Sequence, residues 1–384
     1  MLQTSSAATE MMQATSNALT ATSTVTPTPI PPTATASATP TTPPPTGTPT
    51  ATLDSTIMAG TIYYIYNGDA ILAVAGDGSR EEFLYTVGVG VPIEYLTPSP
   101  NGEWLAFVAP GSGSAREVWI MNRDATYTQM VSCLGFADVR LPGWSPDNEW
   151  LAFFATQSPN GPLDLYTAKR TGPICGEDSH RQLADLNSLS VGGLAYAQYG
   201  NRLFFSNVVI YAIDLTTGEI SPALTQNTGF GADYALQFNP AEPFLLTYLQ
   251  VAPLLTPIRN EGLLYAIDIS RPDGILTPEL AMRSLLLSFQ WSSDGESLLL
   301  SSPSSVSIIG RDSQTGPVLA SGLTLPPQAI FNPTADQIAY IDADPNNPTT
   351  PQIYIVDRNG RDSWPITHNP EGSIQDLVWL TGGW

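Results

Sequence analysis

The side chains that most often carry catalysis or hold metal ions are scarce in this chain. Its two histidines, His180 and His368, have no metal-ligand neighbour at a recognised spacing. A histidine-based metal site is therefore not expected, and both are read as loop residues. No Gly-x-Ser-x-Gly elbow occurs, so no catalytic residue and no cofactor is assigned. The stretch Asp342-Ala-Asp344, with Asn346 and Asn347 behind it, offers oxygens of the kind that surround calcium, but it reads first as a polar loop at a sheet corner. Cys133 and Cys175 are the only cysteines. In an oxidising compartment they can close a disulfide; the alternative is two small buried thiols, and spacing does not choose.

Charge narrows the partners. Fourteen Lys and Arg against 35 Asp and Glu give a net charge of −21, and Lys169 is the only lysine. A groove for phosphates needs clustered cations, so neither nucleic acid nor an anionic membrane surface is an expected partner. No apolar run of about 18 residues exists to span a membrane. Residues 1–57 are dominated from Ala14 onward by Thr, Ser, Ala and Pro, as in Thr41-Thr-Pro-Pro-Pro-Thr46. Such a tract buries too little apolar surface to offset its ordering entropy, and is read as a disordered stalk or linker. Thr/Pro stalks resemble the spacers that hold bacterial surface domains away from a membrane or wall, which implies an extracytoplasmic protein. Residues 1–10 show no basic region and no apolar core of a signal peptide, so a leader or anchor upstream of Met1 is expected on this reading.

What positions any site must come from residues 58–384, and these are repetitive. The stretch Trp144-Ser-Pro-Asp-Asn-Glu-Trp-Leu-Ala-Phe-Phe154 recurs with anchors at Pro98, Trp144, Tyr196, Phe238, Trp291, Phe331 and Trp379, spaced 40 to 53 residues apart. After the anchor comes a polar turn, as in Ser99-Pro-Asn-Gly102 and Ser292-Ser-Asp-Gly295, whose residues suit a tight hairpin. A short apolar run follows, such as Leu105-Ala-Phe107 or Leu203-Phe-Phe205, as expected of a strand buried on both faces. A third strand then ends on a polar residue, as in Ile210-Tyr-Ala-Ile-Asp214 and Ile353-Tyr-Ile-Val-Asp357, and a weaker fourth strand leads to the next anchor. Several short strands per period of about 40 to 50 residues are the mark of a propeller.

Anchor, Ser-Pro-Asp-Gly-like turn, Leu/Ile-Ala-Phe and Ile-Tyr-x-x-Asp together resemble the WD-like propeller repeat of the TolB family. They are also similar to the propeller domain of dipeptidyl peptidase IV and prolyl oligopeptidase relatives, whose hydrolase segment has no counterpart here. The copy Tyr196-Ala-Gln-Tyr-Gly200 departs most from the turn pattern. At the ends, Thr61-Ile-Tyr-Tyr-Ile-Tyr66 matches a second strand with no first strand before it, and Asp376-Leu-Val-Trp-Leu380 matches a first strand with nothing after it. The fold expected is therefore all-β: a seven-bladed propeller of four-stranded antiparallel blades, closed by pairing of its terminal strands.

That architecture puts the loops between second and third strands on one face with the connectors between blades. These loops, at 110–115, 157–162, 249–261 and 342–351, are expected to be long and irregular, and to carry binding. Within 249–261 the apolar run includes Leu254 and Leu255, followed by Arg259; it reads as a protein-contact patch or as a segment folded over a neighbouring blade. Four residues before their anchors stand Glu94, Arg140, Tyr234 and Gln375, which the analogy with the fold places at the channel mouth as ligand contacts. The function expected is a monomeric, non-enzymatic, extracytoplasmic module that binds a protein, a peptide or a cell-envelope component. Two alternatives are carried with it: the sensor domain of a membrane receptor, and a hydrolase or lyase acting on polysaccharide at the funnel.

Overall fold

The computed structural model describes residues 60–384 apart from 89–91, 172–179, 200, 227–231, 252–261, 271–278 and 313–314, and for 279–285 the backbone only. The Thr/Pro-rich tract lies outside the described residues. The rest forms seven antiparallel sheets, numbered here as blades from the channel outward. Blade 1 is Ile374–Leu380, Thr61–Tyr66, Ala70–Ala75 and Glu81–Thr86; blade 2 is Glu94–Pro98, Trp104–Pro110, Arg116–Asn122 and Thr128–Met130. Blade 3 is Asp138–Trp144, Trp150–Thr156, Leu163–Lys169 and His180–Ser188; blade 4 is Gly193–Tyr196, Arg202–Asn207 and Val209–Asp214. Blade 5 is Asp233–Phe238, Leu245–Val251, Gly262–Asp268 and Glu279–Leu286; blade 6 is Ser288–Trp291, Ser297–Ser302, Ser305–Gly310 and Val318–Ser321. Blade 7 is Ala329–Phe331, Gln337–Asp344, Asn347–Asp357 and Trp364–Pro365. First strands of successive blades touch around the circle, and that of blade 7 meets that of blade 1. The chain is a seven-bladed β-propeller.

Closure is made as the termini of the repeat pattern imply. Ile374–Leu380 pairs with Thr61–Tyr66, with Leu380 opposite Thr61 and Ile374 opposite Tyr66. The continuous apolar second strands also find their reason. Side chains alternate along a strand, so Ile62 and Tyr64 pack toward blade 7 while Tyr63 and Ile65 pack toward blade 2. The buried clusters each pool residues from two neighbouring blades, which makes the core a circle of interblade layers.

The turn motif is a hydrogen-bonded device. In blade 3 the Ser145 hydroxyl donates to the Asp147 carboxylate, which also accepts from the Glu149 amide at 3.0 Å, and Ser145 Oγ accepts from the Trp150 amide at 2.9 Å. Ser292 and Asp294 repeat this in blade 6, with the Glu296 amide 3.0 Å from Asp294. The fourth turn residue is left-handed, at φ 69° for Gly102, 62° for Asn148 and 70° for Gly295, which is why Gly and Asn recur there.

Four expectations need correction. Blade 4 has three regular strands; residues 220–225 take the fourth position through an Ile213–Ile220 bridge and bonds from the Ser221 and Leu224 amides to Ala212 and Ile210. Pro222, lacking an N–H, interrupts the ladder there. His180 opens the fourth strand of blade 3 instead of lying in a loop, whereas His368 is outside any strand. Asp342 and Asp344 are strand residues: strands two and three of blade 7 extend until only residues 345 and 346 join them. Asp342 accepts from the Thr324 amide at 2.9 Å, so it ties down the connector from blade 6. The loops at 110–115 and 157–162 are likewise compact, the first closed by a 2.8 Å bond from Gly111 N to Ala115 O and the second by one of 2.8 Å from Gly161 N to Ser158 O.

Candidate functional site

Glu94, Arg140, Tyr234 and Gln375 all fall at or beside the leading ends of first strands, in blades 2, 3, 5 and 1. In each case the following residue is left-handed: Tyr95 at φ 62°, Leu141 at 54°, Ala235 at 53° and Asp376 at 56°. The pairing to the second strand slips at the same place in all four blades. These are β-bulges at residues other than glycine, a conformation that costs energy and that re-aims the side chains around it. The positions equivalent to the four in blades 4, 6 and 7 are Gly192, Leu287 and Pro327, and the short first strands there show no such slip.

The mouth is consequently uneven. On the side of blades 1 to 3 it is charged. Arg116, buried in its side chain, bonds Glu94 at 2.5 Å and the Pro92 carbonyl at 2.6 Å. Arg140, half-exposed, grips Asp138 through Nε at 2.8 Å and Nη2 at 2.7 Å. The Tyr95 hydroxyl sits among these groups; burial raises its pKa, with Glu94 and Arg140 acting in opposite senses. Asp376 is mostly buried, and its carboxylate accepts from the Tyr95 amide at 2.7 Å and the Leu96 amide at 3.2 Å. Burial holds its acid above the ordinary carboxylate value in spite of these bonds. On the opposite side Asp233 is fully buried and held by Thr225 Oγ1 at 2.6 Å and Gln250 Nε2 at 2.9 Å, and burial again raises its pKa.

Side chains of the first strands also stitch the ring. Gln237 donates to the Phe289 carbonyl at 3.0 Å, Gln290 accepts from the Phe331 amide at 2.8 Å, and Gln328 accepts from the Leu377 amide at 3.3 Å. Blades 4 and 5 approach more closely: a Cβ on Gly192 would lie 2.2 Å from the Asp233 carbonyl, and the Ala235 amide donates to Gly192 O at 3.0 Å. The mouth is therefore a rigid frame.

Of the other sequence-derived candidates, Leu254, Leu255, Arg259 and Cys175 lie outside the described residues. Cys133, just past the fourth strand of blade 2, is disulfide-bonded. Among the described residues no group of three or more His, Cys, Asp or Glu side chains could hold a metal ion, and no helix is long and apolar enough to cross a membrane. Sequence reasoning missed two clefts on the opposite, turn-bearing face, of about 380 and 360 Å³, which flank blade 4. Their signal was present as the departure at Tyr196-Ala-Gln-Tyr-Gly200.

The architecture defines the class, that of seven-bladed β-propellers. No protein-family model matches the sequence, and no curated protein does either. Solved structures do. A protein of unknown function from Desulfotomaculum acetoxidans matches at 13% identity and a TM-score of 0.54, over 82% of this chain and 98% of that one. An oligogalacturonate lyase from Vibrio parahaemolyticus matches at 11% identity and 0.52, over 80% and 85%. TolB from Acinetobacter baumannii matches at 14% identity and 0.49, over 84% and 67%. At these identities the likeness is one of fold.

Proposed function

We propose that the chain is a non-enzymatic binding module, displayed outside the cytoplasm on its Thr/Pro-rich stalk, that takes a protein, peptide or cell-envelope component at the channel mouth. The observation that carries this reading is the fourfold repetition of a left-handed residue directly after Glu94, Arg140, Tyr234 and Gln375. Strain repeated at one place in a fold is retained where it serves a site. The frame carries charge on one side and the partly buried Tyr234 and Leu287 on the other, a pairing suited to a ligand with one polar and one apolar end. Cys133 and Cys175 are assigned to one disulfide in keeping with that compartment.

The test is selection of peptides from a random library on the folded protein. Binding of the selected peptides should be lost in Arg140→Glu with Tyr234→Ser, while the thermal midpoint stays within a few degrees of the parent. Peptides indifferent to both substitutions would sink the reading. The lyase alternative rests on likeness of fold to the Vibrio enzyme; formation of an ultraviolet-absorbing unsaturated product from oligogalacturonate would replace the binding reading with that one.

A further inference from the structure

Blade 4 departs from the repeat where the other turns are most alike. The positions of Ser145 and Asp147 are occupied there by Ala197 and Tyr199, neither of which can close the turn through a carboxylate. The Ala197 amide still bonds Arg202 O at 3.0 Å, so the hairpin forms, but Tyr199 is left 66% exposed. A cleft opens on each side. That toward blade 3 is lined by Arg181, Tyr196, Gln198, Asn201 and Arg202; that toward blade 5 is walled by Tyr199, Phe204, Pro243, Phe244 and Ile269. Arg202 and Ala197 line both.

Elsewhere in the described structure Arg123 and Arg358 bond only hydroxyl and carbonyl oxygens, and Arg80, Arg116, Arg140, Arg170 and Arg311 each pair with a carboxylate. Among the described residues Arg181 and Arg202 form no such pair, and Arg181 bonds only the Leu215 carbonyl, at 3.3 Å. The two carboxylates that line these clefts are bonded within their own turns, Asp147 by Ser145 and the Glu149 amide and Asp214 by the amides of Thr216 at 2.8 Å and Thr217 at 2.9 Å, and Arg202 acts on Asp214 only through space. Two guanidinium groups thus stand at one concave place in a protein of net charge −21. Guanidinium matches carboxylate in geometry as well as in charge.

We propose that the paired clefts bind an acidic peptide segment, its carboxylate seated between Arg181 and Arg202 and a neighbouring apolar side chain laid against Tyr199 and Phe244. The apolar wall decides between a peptide and an acidic sugar, since the hydroxyls of a sugar would give up water there for few partners. Phe244 is 49% exposed, a large apolar surface left open beside the cation. This site is separate from the mouth and lies on the other face.

The experiment is calorimetric titration of the full chain at low salt with the capped tripeptide Phe-Glu-Phe, its Phe-Gln-Phe counterpart and galacturonic acid. The Glu peptide is expected to bind, and the Gln peptide to bind about tenfold or more weakly. Arg202→Gln and Arg181→Gln should each weaken the Glu peptide by a similar factor, and Phe244→Ser severalfold, while Arg311→Gln, in blade 6, leaves it unchanged. Arg181→Gln decides if Arg202→Gln fails to fold. The proposal is overturned if the Glu peptide does not bind, if it binds no better than the Gln peptide or galacturonic acid, or if both folded arginine variants bind it like the parent.

Discussion

At the turns after most first strands, polar side chains satisfy the backbone of their own hairpin, as Ser292 and Asp294 do for Glu296 and Ser297. At the mouth end of the same strands they satisfy the backbone of the next blade, as Asp376 does for Tyr95 and Leu96, and Gln328 for Leu377. The first arrangement is mainly local, with single bonds between neighbouring turns such as that from Asn239 Nδ2 to the Gly295 carbonyl at 2.9 Å. The second is circular, so a change in one blade is felt by its neighbour. That difference separates the two candidate sites: the mouth is built from strained strands locked together, whereas the clefts arise where one turn has abandoned its local bonds.

The largest effect should come from opening the circle. Removing residues 374–384 takes away the first strand of blade 1 together with Asp376, and exposes two strand edges. A loss of several kcal/mol is expected, above the roughly 0.5–3 kcal/mol of typical substitutions. A truncated protein whose chemical denaturation matches the parent would show that the mouth is not held by closure. Next in size is the local device. Ser292→Ala with Asp294→Ala removes bonds worth about 1 kcal/mol each, so a loss of about 1–3 kcal/mol is expected. The reverse change, Ala197→Ser with Tyr199→Asp, restores the turn in blade 4. It should add about 0.5–1 kcal/mol and weaken the Glu peptide of the cleft experiment. A graft that stabilises the turn yet binds that peptide unchanged would uncouple the cleft from the departure in the repeat.

Much of this comparison was legible in the sequence because its causes are local. Strands buried between two blades must be apolar at every position, so Leu151-Ala-Phe153 and its copies announce themselves, and the turns recur because Ser, Asp and Gly or Asn each meet a fixed need. Counting back from the anchors reached Glu94, Arg140, Tyr234 and Gln375. It did not reach the bulges, since Tyr95, Leu141, Ala235 and Asp376 share no chemistry that marks a left-handed residue. Arg181 and Arg202 escaped for another reason: they lie in different blades, and only the packing of blade 3 against blade 4 brings them to one cleft. The expected loop at 342–351 failed because its Thr- and Pro-rich sequence extends a hairpin as readily as it forms a loop.

The smallest effect is a difference in the sign of pH dependence between the two ends of the first strands. Burial raises the pKa of Asp376 at the mouth, so between that raised value and the ordinary value of about 3.9 the folded state binds a proton that the unfolded state releases. Stability from this group therefore rises as pH falls through the window. Asp294 is the opposite case. The bonds from Ser292 and the Glu296 amide lower its pKa, so its contribution is present above the ordinary value and is lost as pH falls through the lowered one. Asn replaces either residue without a titrating group. Thermal midpoints of the parent and of Asp376→Asn, followed from pH 7 to about pH 4, should diverge in the parent's favour. Those of the parent and of Asp294→Asn should run parallel over that range and converge only below it. Parallel curves for Asp376→Asn would mean that its carboxylate is not held protonated by burial, and that the mouth tolerates charge as freely as the turns do.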